Sequence, residues 1–459
     1  MAKGRDTDMT SGTIWKQIAA FSLPLMLGLL FQQLYNTVDT LVVGKFVNKQ
    51  ALAAVGCTGN IINVLVGFCA GLATGAGVVI SQAYGSHDEG RLHRSVHTSI
   101  ALTLILSVIT TVLGVLLVQP MLRLMDTPED VLESAGDYLR IYFFGISGTL
   151  IYNMGSGILR AVGDSRRPLY FLVISAVVNT VLDLLFVRSF GMGVKGVAWA
   201  TVIAQALSAV LSLIVLTGCS APYRIIWTKI RLYKDTLRQI LLLGLPSAVQ
   251  SAITSFSNVF VQGYINAFGS DCMAAWGVYN KLDAFVLLPM QAVSMCSATF
   301  VGQNWGAGQK KRAARGVTVS LAISVGTAVV LGALLLLLRA PVLSLFTDDP
   351  GVAEFSAYFI SVITPFYVLC CFNQIYSGAL RGIGSATLPT IVMLGSFVAF
   401  RQVFLYVTKL LNAGILAVTL AYPMGWIMCS TLLAFFYHRS ALFRDKRRAS
   451  ARRKGTGSS

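Results

Sequence analysis

Leu159-Arg160-Ala161-Val162-Gly163, followed by Pro168, returns as Leu380-Arg381-Gly382-Ile383-Gly384, followed by Pro389, an offset of 221 positions in a chain of 459. Each copy closes a long apolar stretch and opens a basic turn. The recurrence is not isolated. Ser81-Gln82-Ala83-Tyr84-Gly85 meets Gly302-Gln303-Asn304-Trp305-Gly306, and Gln17-Ile18 with Pro24 meets Gln239-Ile240 with Pro246. Matches at the start, middle and end of each half mark the chain as a duplication.

The material between these matches is too apolar for a water-soluble fold. Hydrophobic residues make up 55% of the sequence and charged residues 12%, with a mean hydropathy of +0.70; a soluble domain carries about a quarter charged residues. Apolar stretches of about 20 residues or more predict twelve spans, near 14–42, 52–82, 95–119, 136–159, 168–188, 193–217, 238–267, 273–303, 316–338, 355–379, 388–409 and 413–438. No small-residue cleavage site follows Lys3, Arg5 and Lys16, so the first stretch reads as an uncleaved helix. About 26 basic residues fall on the side of the N-terminus and about eight on the other, which predicts both termini to be cytoplasmic. The net charge of +17 is dispersed in short clusters between spans, including the tail from Arg444 to Lys454. That pattern suits anionic lipid headgroups and not nucleic acid. Eight cysteines form no C-x-x-C pair and sit mostly in apolar runs, as small hydrophobes do.

The expected architecture is all-α: residues 1–220 form one six-helix bundle, 221–238 a cytoplasmic linker, 239–440 a second six-helix bundle and 441–459 a basic tail. Six spans per repeat give both halves the same orientation. They are then related by a pseudo-two-fold axis along the membrane normal, with a central cleft between them as the substrate path. The chain is expected to work as a monomer.

Nearly all of the nineteen acidic residues lie in loops or at helix ends, and only Asp39, Asp183 and Asp283 sit well within apolar spans. An aspartate at the centre of a membrane helix costs roughly 2.5 to 3.5 kcal/mol, so each needs a partner, a proton or a wet cavity. Asp39 ends a stripe of Gln32, Tyr35, Asn36 and Asp39 on one helix face, downstream of the helix-kinking Pro24. Asp183 ends Ser175, Asn179, Asp183 at i, i+4, i+8, and Thr201, Gln205 and Ser208 repeat the pattern on the next span. Converging oxygen ligands of this kind suit Na+ or a shared proton. Helix-to-helix hydrogen bonding is the plainer reading. The repeat argues against it, because the related positions in the second half are Asn258 for Asp39, Phe400 for Asn179, Phe404 for Asp183 and Tyr422 for Thr201, where every acid is gone.

The second half has its own uncharged stripe, Gln250, Thr254, Asn258 and Gln262, beside Trp276, Met290 and Met295. Such a lining adapts to varied amphipathic molecules, or simply packs helices. Asp283, with Asn280 and Lys281 nearby, joins the candidate substrate cleft or is neutralised by the lysine, and Arg401, deep in a late span, carries the same two readings.

Two motifs are set aside. Gly191-Met-Gly193-Val-Lys-Gly196 fits a dinucleotide fingerprint in letters only, as it joins two hydrophobic helices without a preceding strand. His93 and His97 have metal-ligand spacing, yet Arg94 stands where a zinc protease has glutamate. No Walker A sequence occurs, so ATP hydrolysis is unsupported.

Leu34-Tyr35-Asn36-Thr37-Val38-Asp39, Asn179-Thr-Val-Leu-Asp183, the glycine turn at 191–196 with Ala198 and Thr201, and the paired Leu-Arg-x-x-Gly turns together resemble the MATE (multidrug and toxic compound extrusion) family. The resemblance covers nearly the whole chain and points to the bacterial DinF-like branch, whose acids lie in the first half. It implies a V-shaped pair of six-helix bundles, Na+- or H+-driven export of small amphipathic molecules, and a cation site at Asp39, Asn179, Asp183 and Thr201. No cofactor is implied beyond the transported ion. Members with an acid in the span matching 355–379 differ from this chain, which offers Asn373 and Gln374 there. Two rivals are weaker: a lipid-linked precursor flippase would favour a strongly cationic cleft, and an intramembrane enzyme would need a nucleophile paired with a base.

Overall fold

The structure, a computed structural model, describes residues 8–47, 49–125, 127–440 and 442. Lys3, Arg5 and the basic tail from Arg444 lie outside the described residues. No strand occurs among those described. The helices are α1 (Ile14–Phe46), α2 (Lys49–Gly85), α3 (Glu89–Leu124), α4 (Glu129–Phe144), α5 (Ile146–Ala161), α6 (Arg166–Leu184) and α7 (Gly193–Gly218). After the linker come α8 (Lys234–Asn266), α9 (Ser270–Gly306), α10 (Lys310–Leu337), the single turn α11 (Arg339–Leu343), α12 (Pro350–Ile363), α13 (Tyr367–Gly382), α14 (Thr387–Leu394), α15 (Arg401–Leu410) and α16 (Ile415–Arg439).

Eleven of the described segments are long and apolar enough to cross a membrane. The twelfth expected span, 136–159, falls in a helix interrupted at Gly145 into α4 and α5 of 16 residues each, so neither piece passes on length alone. A side chain on Gly145 would collide with Val202 of α7, which explains glycine at the break. Pro24 and Pro246 sit inside α1 and α8, which stay helical through them. The recurring Leu-Arg-x-x-Gly sequence is one helix stop made twice. Gly163 has φ 91° and Gly384 φ 90°, a left-handed conformation in which glycine carries no Cβ penalty. Gly163 N–H donates to Arg160 O (3.0 Å) and Asp164 N–H to Leu159 O (2.9 Å); Gly384 and Ser385 do the same to Arg381 O and Leu380 O (2.8 and 2.9 Å).

The chain separates into two compact units. Leu23–Ala248, with Asp8, forms the first; Met9–Ser22 and the chain from Val249 form the second. In the first, α5, α6 and α4 pack on α7, and α2 packs on α4 and α5. The linker joins this unit: Tyr223 and Ile225 are buried in its core, and Ile226 N–H donates to His97 Nε2 at 3.0 Å. The start of α8 lies against α2, where a Cβ on Gly75 would strike the Gly244 backbone. In the second unit, α9 packs on α10, α12 and α13, and α13 on α16. Met9 is strapped there, its N–H donating to Gln303 Oε1 (3.0 Å) and its carbonyl accepting from Asn304 Nδ2 (3.0 Å).

Candidate cation site

The first unit brings the four residues of the expected cation site into its interior. Asp39 of α1 is 8% exposed, Asn179 and Asp183 of α6 are 0%, and Thr201 of α7 is 4%. Four-residue spacing sets Ser175, Asn179 and Asp183 on one face of α6. Ser175 Oγ donates to Ala204 O at 2.7 Å, fixing that face against α7. A π turn, Leu185–Ser189, follows Asp183 and ends the stripe. The carboxyls of Asp39 and Asp183 face each other. Tyr138 of α4 sets its hydroxyl beside Thr201, and Tyr35 of α1 sets its own beside Gln205. Val42, Val43, Val187, Val194 and Val197 pack with Tyr138 in one apolar cluster.

Asp39 Oδ1, both Asp183 carboxylate oxygens and both polar atoms of the Asn179 amide are buried without a hydrogen-bond partner. No lysine, arginine or histidine pairs with either acid among the described residues. Thr201 Oγ1 donates to Val197 O at 3.0 Å, which orients its lone pairs and leaves them able to accept a ligand. Two facing carboxylates, an amide and a hydroxyl are the oxygen set of a hard monovalent cation, and the acids alone suffice to share a proton. Tyr138 went unnoticed in the sequence; its i, i+4 pairing with Tyr142 inside an expected span was the available signal.

The other candidates are scattered more widely. Gln32 and Asn36 are exposed on α1. In the second unit Gln250 is engaged on α13 and α14, its Oε1 accepting from Arg381 (2.9 Å) and Thr390 (3.3 Å). Thr254 is half-buried on α8, Gln262 donates to Asn266 Oδ1 at 2.8 Å, Asn280 is exposed and Met290 is fully buried in the core. Asp283 makes no ion pair with Lys281 among the described residues; its Oδ1 accepts from Tyr367 (2.7 Å) and Tyr279 (3.0 Å). Gly191 and Gly193, with φ 65° and 57°, form the turn before α7. His97 is occupied at both ring nitrogens, by His93 O (2.8 Å) and Ile226 N–H.

Long apolar helices in two repeated halves, with paired acids buried in one of them, are the make-up of a membrane transporter. The MatE family profile matches residues 24–185 and again 246–407. The chain belongs to that family. It is 29% identical to the probable multidrug resistance protein YoeA of Bacillus subtilis over 93% of this chain and 94% of that one. YpnP of the same organism, also named a probable multidrug resistance protein, is 28% identical over 94% and 96%. A solved outward-facing multidrug resistance MATE transporter superposes with a TM-score of 0.90 at 23% identity, covering 96% of this chain and 99% of that one.

The two matched segments begin at Pro24 and Pro246 and end at Leu185 and Val407, an offset of 222 at both ends, one more than the turn motifs between them show. Taken at that offset, Asp39 falls opposite Val261, Asn36 opposite Asn258, Asn179 opposite Arg401 and Asp183 opposite Leu405, where the sequence reading sets Asn258 against Asp39, Phe400 against Asn179 and Phe404 against Asp183. The physical cause near Arg401 is a second π turn, Gly395–Phe400, whose extra residue precedes Arg401, whereas the π turn of the first half follows Asp183. Both acids thus have buried aliphatic counterparts.

Proposed function

We propose that the protein is a secondary active antiporter that exports amphipathic, often cationic, organic compounds in exchange for Na+ or H+ across the bacterial inner membrane. The carrying observation is the facing pair Asp39 and Asp183, buried in a membrane bundle with three of their four carboxylate oxygens met by no protein donor. A permanent structural pair would be met by fixed donors, as Asp283 is by two tyrosines. A pair left without them fits a small cation that binds and leaves. Asn179 and Thr201 complete the ligand set, and the multidrug names of the relatives support an organic substrate. The exchange runs by alternating access. The ion arrives from outside, binds the acids and favours the state that releases substrate, by no more than its differential affinity for the two states. The exposed polar groups Gln32 and Asn36 in the first unit, and Asn280 with the half-buried Asp283 in the second, are the proposed substrate contacts.

The test is dye efflux from proteoliposomes under separately imposed Na+ and pH gradients. Asp39→Asn and Asp183→Asn are expected to abolish gradient-driven efflux while leaving protein in the membrane. Undiminished transport by both variants removes their coupling role.

A further inference from the structure

We propose that Arg401 is a tethered cation: in the second unit it permanently fills the place that an exchangeable ion takes at Asp39 and Asp183 in the first. The chain then carries one exchangeable cation site and not two. This rests on the reading of Asp39 and Asp183 given above.

Counted on from the Pro168 and Pro389 match with the extra residue of the π turn Gly395–Phe400, Arg401 stands at the counterpart of Asn179 of the cation site, and it is 4% exposed. The counterparts of the acids themselves, Val261 and Leu405, are fully buried and belong to the apolar core. The guanidinium makes up the polar centre of this position. Its Nη2 donates to Asn258 Oδ1 at 2.8 Å and to Ser257 Oγ at 3.0 Å, both on α8. Its carbon lies 4.8 Å from the ring centroid of Tyr422, which falls opposite Thr201 once the first half's own π turn, Leu185–Ser189, returns the offset to 221. Gln402, its neighbour, donates to Ser257 O (3.1 Å) and Oγ (3.0 Å), holding the same segment of α8 against α15.

None of these partners is charged, and no carboxylate lies within ion-pair distance of Arg401 among the described residues. Asp283, the acid midway along α9, is taken by Tyr279 and Tyr367. Neutral oxygens and a ring face stabilise a weakly hydrated guanidinium without cancelling its charge. An uncancelled charge on a buried guanidinium repels a second cation from the same place. The duplication therefore keeps a positive charge in both halves. In one half it comes and goes, and in the other it is part of the chain.

The experiment counts cation equivalents on the purified full-length protein, by equilibrium binding of radiolabelled Na+ and by infrared difference spectra of protonated carboxyls across a pH step. Asn258→Asp places a carboxylate at Arg401's own acceptor. With Arg401 present, that acid is held as a fixed pair, and the count stays that of the parent, still lost in Asp39→Asn. Combined with Arg401→Gln, the same acid is released and the count doubles. A second equivalent in Asn258→Asp alone overturns the proposal, as does an unchanged count in the double variant when its Asp39-dependent binding is intact. Should the Arg401→Gln chain fail to assemble, the single variant decides: an added equivalent refutes the proposal, and none supports it. If Asp39→Asn leaves wild-type binding untouched, the coupling reading fails instead, while Asn258→Asp is still scored against its own parent.

Discussion

Asp39 and Asp183 stand out in the sequence because charge is expensive among apolar side chains, roughly 2.5 to 3.5 kcal/mol at a helix centre. Four-residue spacing then shows that Asn179 shares a face with Asp183. The residues that frame them are harder to see, since tyrosines are ordinary in membrane helices and nothing local says that Tyr138 will meet Thr201 or that Tyr367 will meet Asp283. For the same reason Lys281 looks like a partner of Asp283 in the sequence and is none in three dimensions, because it points to an exposed face. Thr201 offers a test at this scale. Thr201→Val keeps the shape and removes the hydroxyl, and is expected to weaken cation binding about tenfold, the order found when a supporting ligand group is lost. Radiolabelled Na+ binding, or the midpoint of pH-driven efflux, measures it.

Helices declare themselves through apolar length, and most ends fall within a few residues of expectation. Turns declare themselves only where a residue type is forced. Gly163 and Gly384 are such places, and their φ values of 91° and 90° explain why the same five-residue signature survives in both halves. Gly163→Ala and Gly384→Ala are each expected to destabilise by about 1–2 kcal/mol, the order of a left-handed penalty. Gly218→Ala, where a Cβ has open space and no positive φ, should stay within about 0.5 kcal/mol. Size-exclusion profiles after a heating series compare the three. The π turns are the opposite case. An extra residue inside a continuous helix leaves no compositional mark, so a sequence offset of 221 misplaces Arg401 by one position, enough to turn a side chain by roughly 100° around the helix.

Across the molecule, an ion-for-compound exchange has an electrical signature. One charge crossing about 100 mV is worth roughly 2.3 kcal/mol, close to a fiftyfold gradient. A neutral dye exchanged against one cation should be expelled by membrane potential alone, whereas a monovalent cationic dye exchanged one for one should ignore it and respond only to the chemical ion gradient. Potassium-valinomycin clamps in proteoliposomes separate the two. Twelve spans and two halves were readable from hydropathy and repetition. The interruption at Gly145 and the burial of the linker were not, because both depend on what packs alongside: Val202 in one case, and the core around Tyr223 and Ile225 in the other.

The seam of the duplication consequently does not lie where the two halves are joined. Lys234–Ala248 is encoded after the linker but belongs to the unit before it, where Gly244 meets Gly75. Fission of the gene at residue 220 should yield an orphan fragment stripped of the linker's Tyr223 and of that helix segment, while fission after Ala248 leaves it clothed. Pulse-chase of the two truncated forms should find the shorter one degraded faster. If so, the ancestral single-copy protein could not have been residues 1–220 on their own, and would have had to borrow its closing helix from a second molecule.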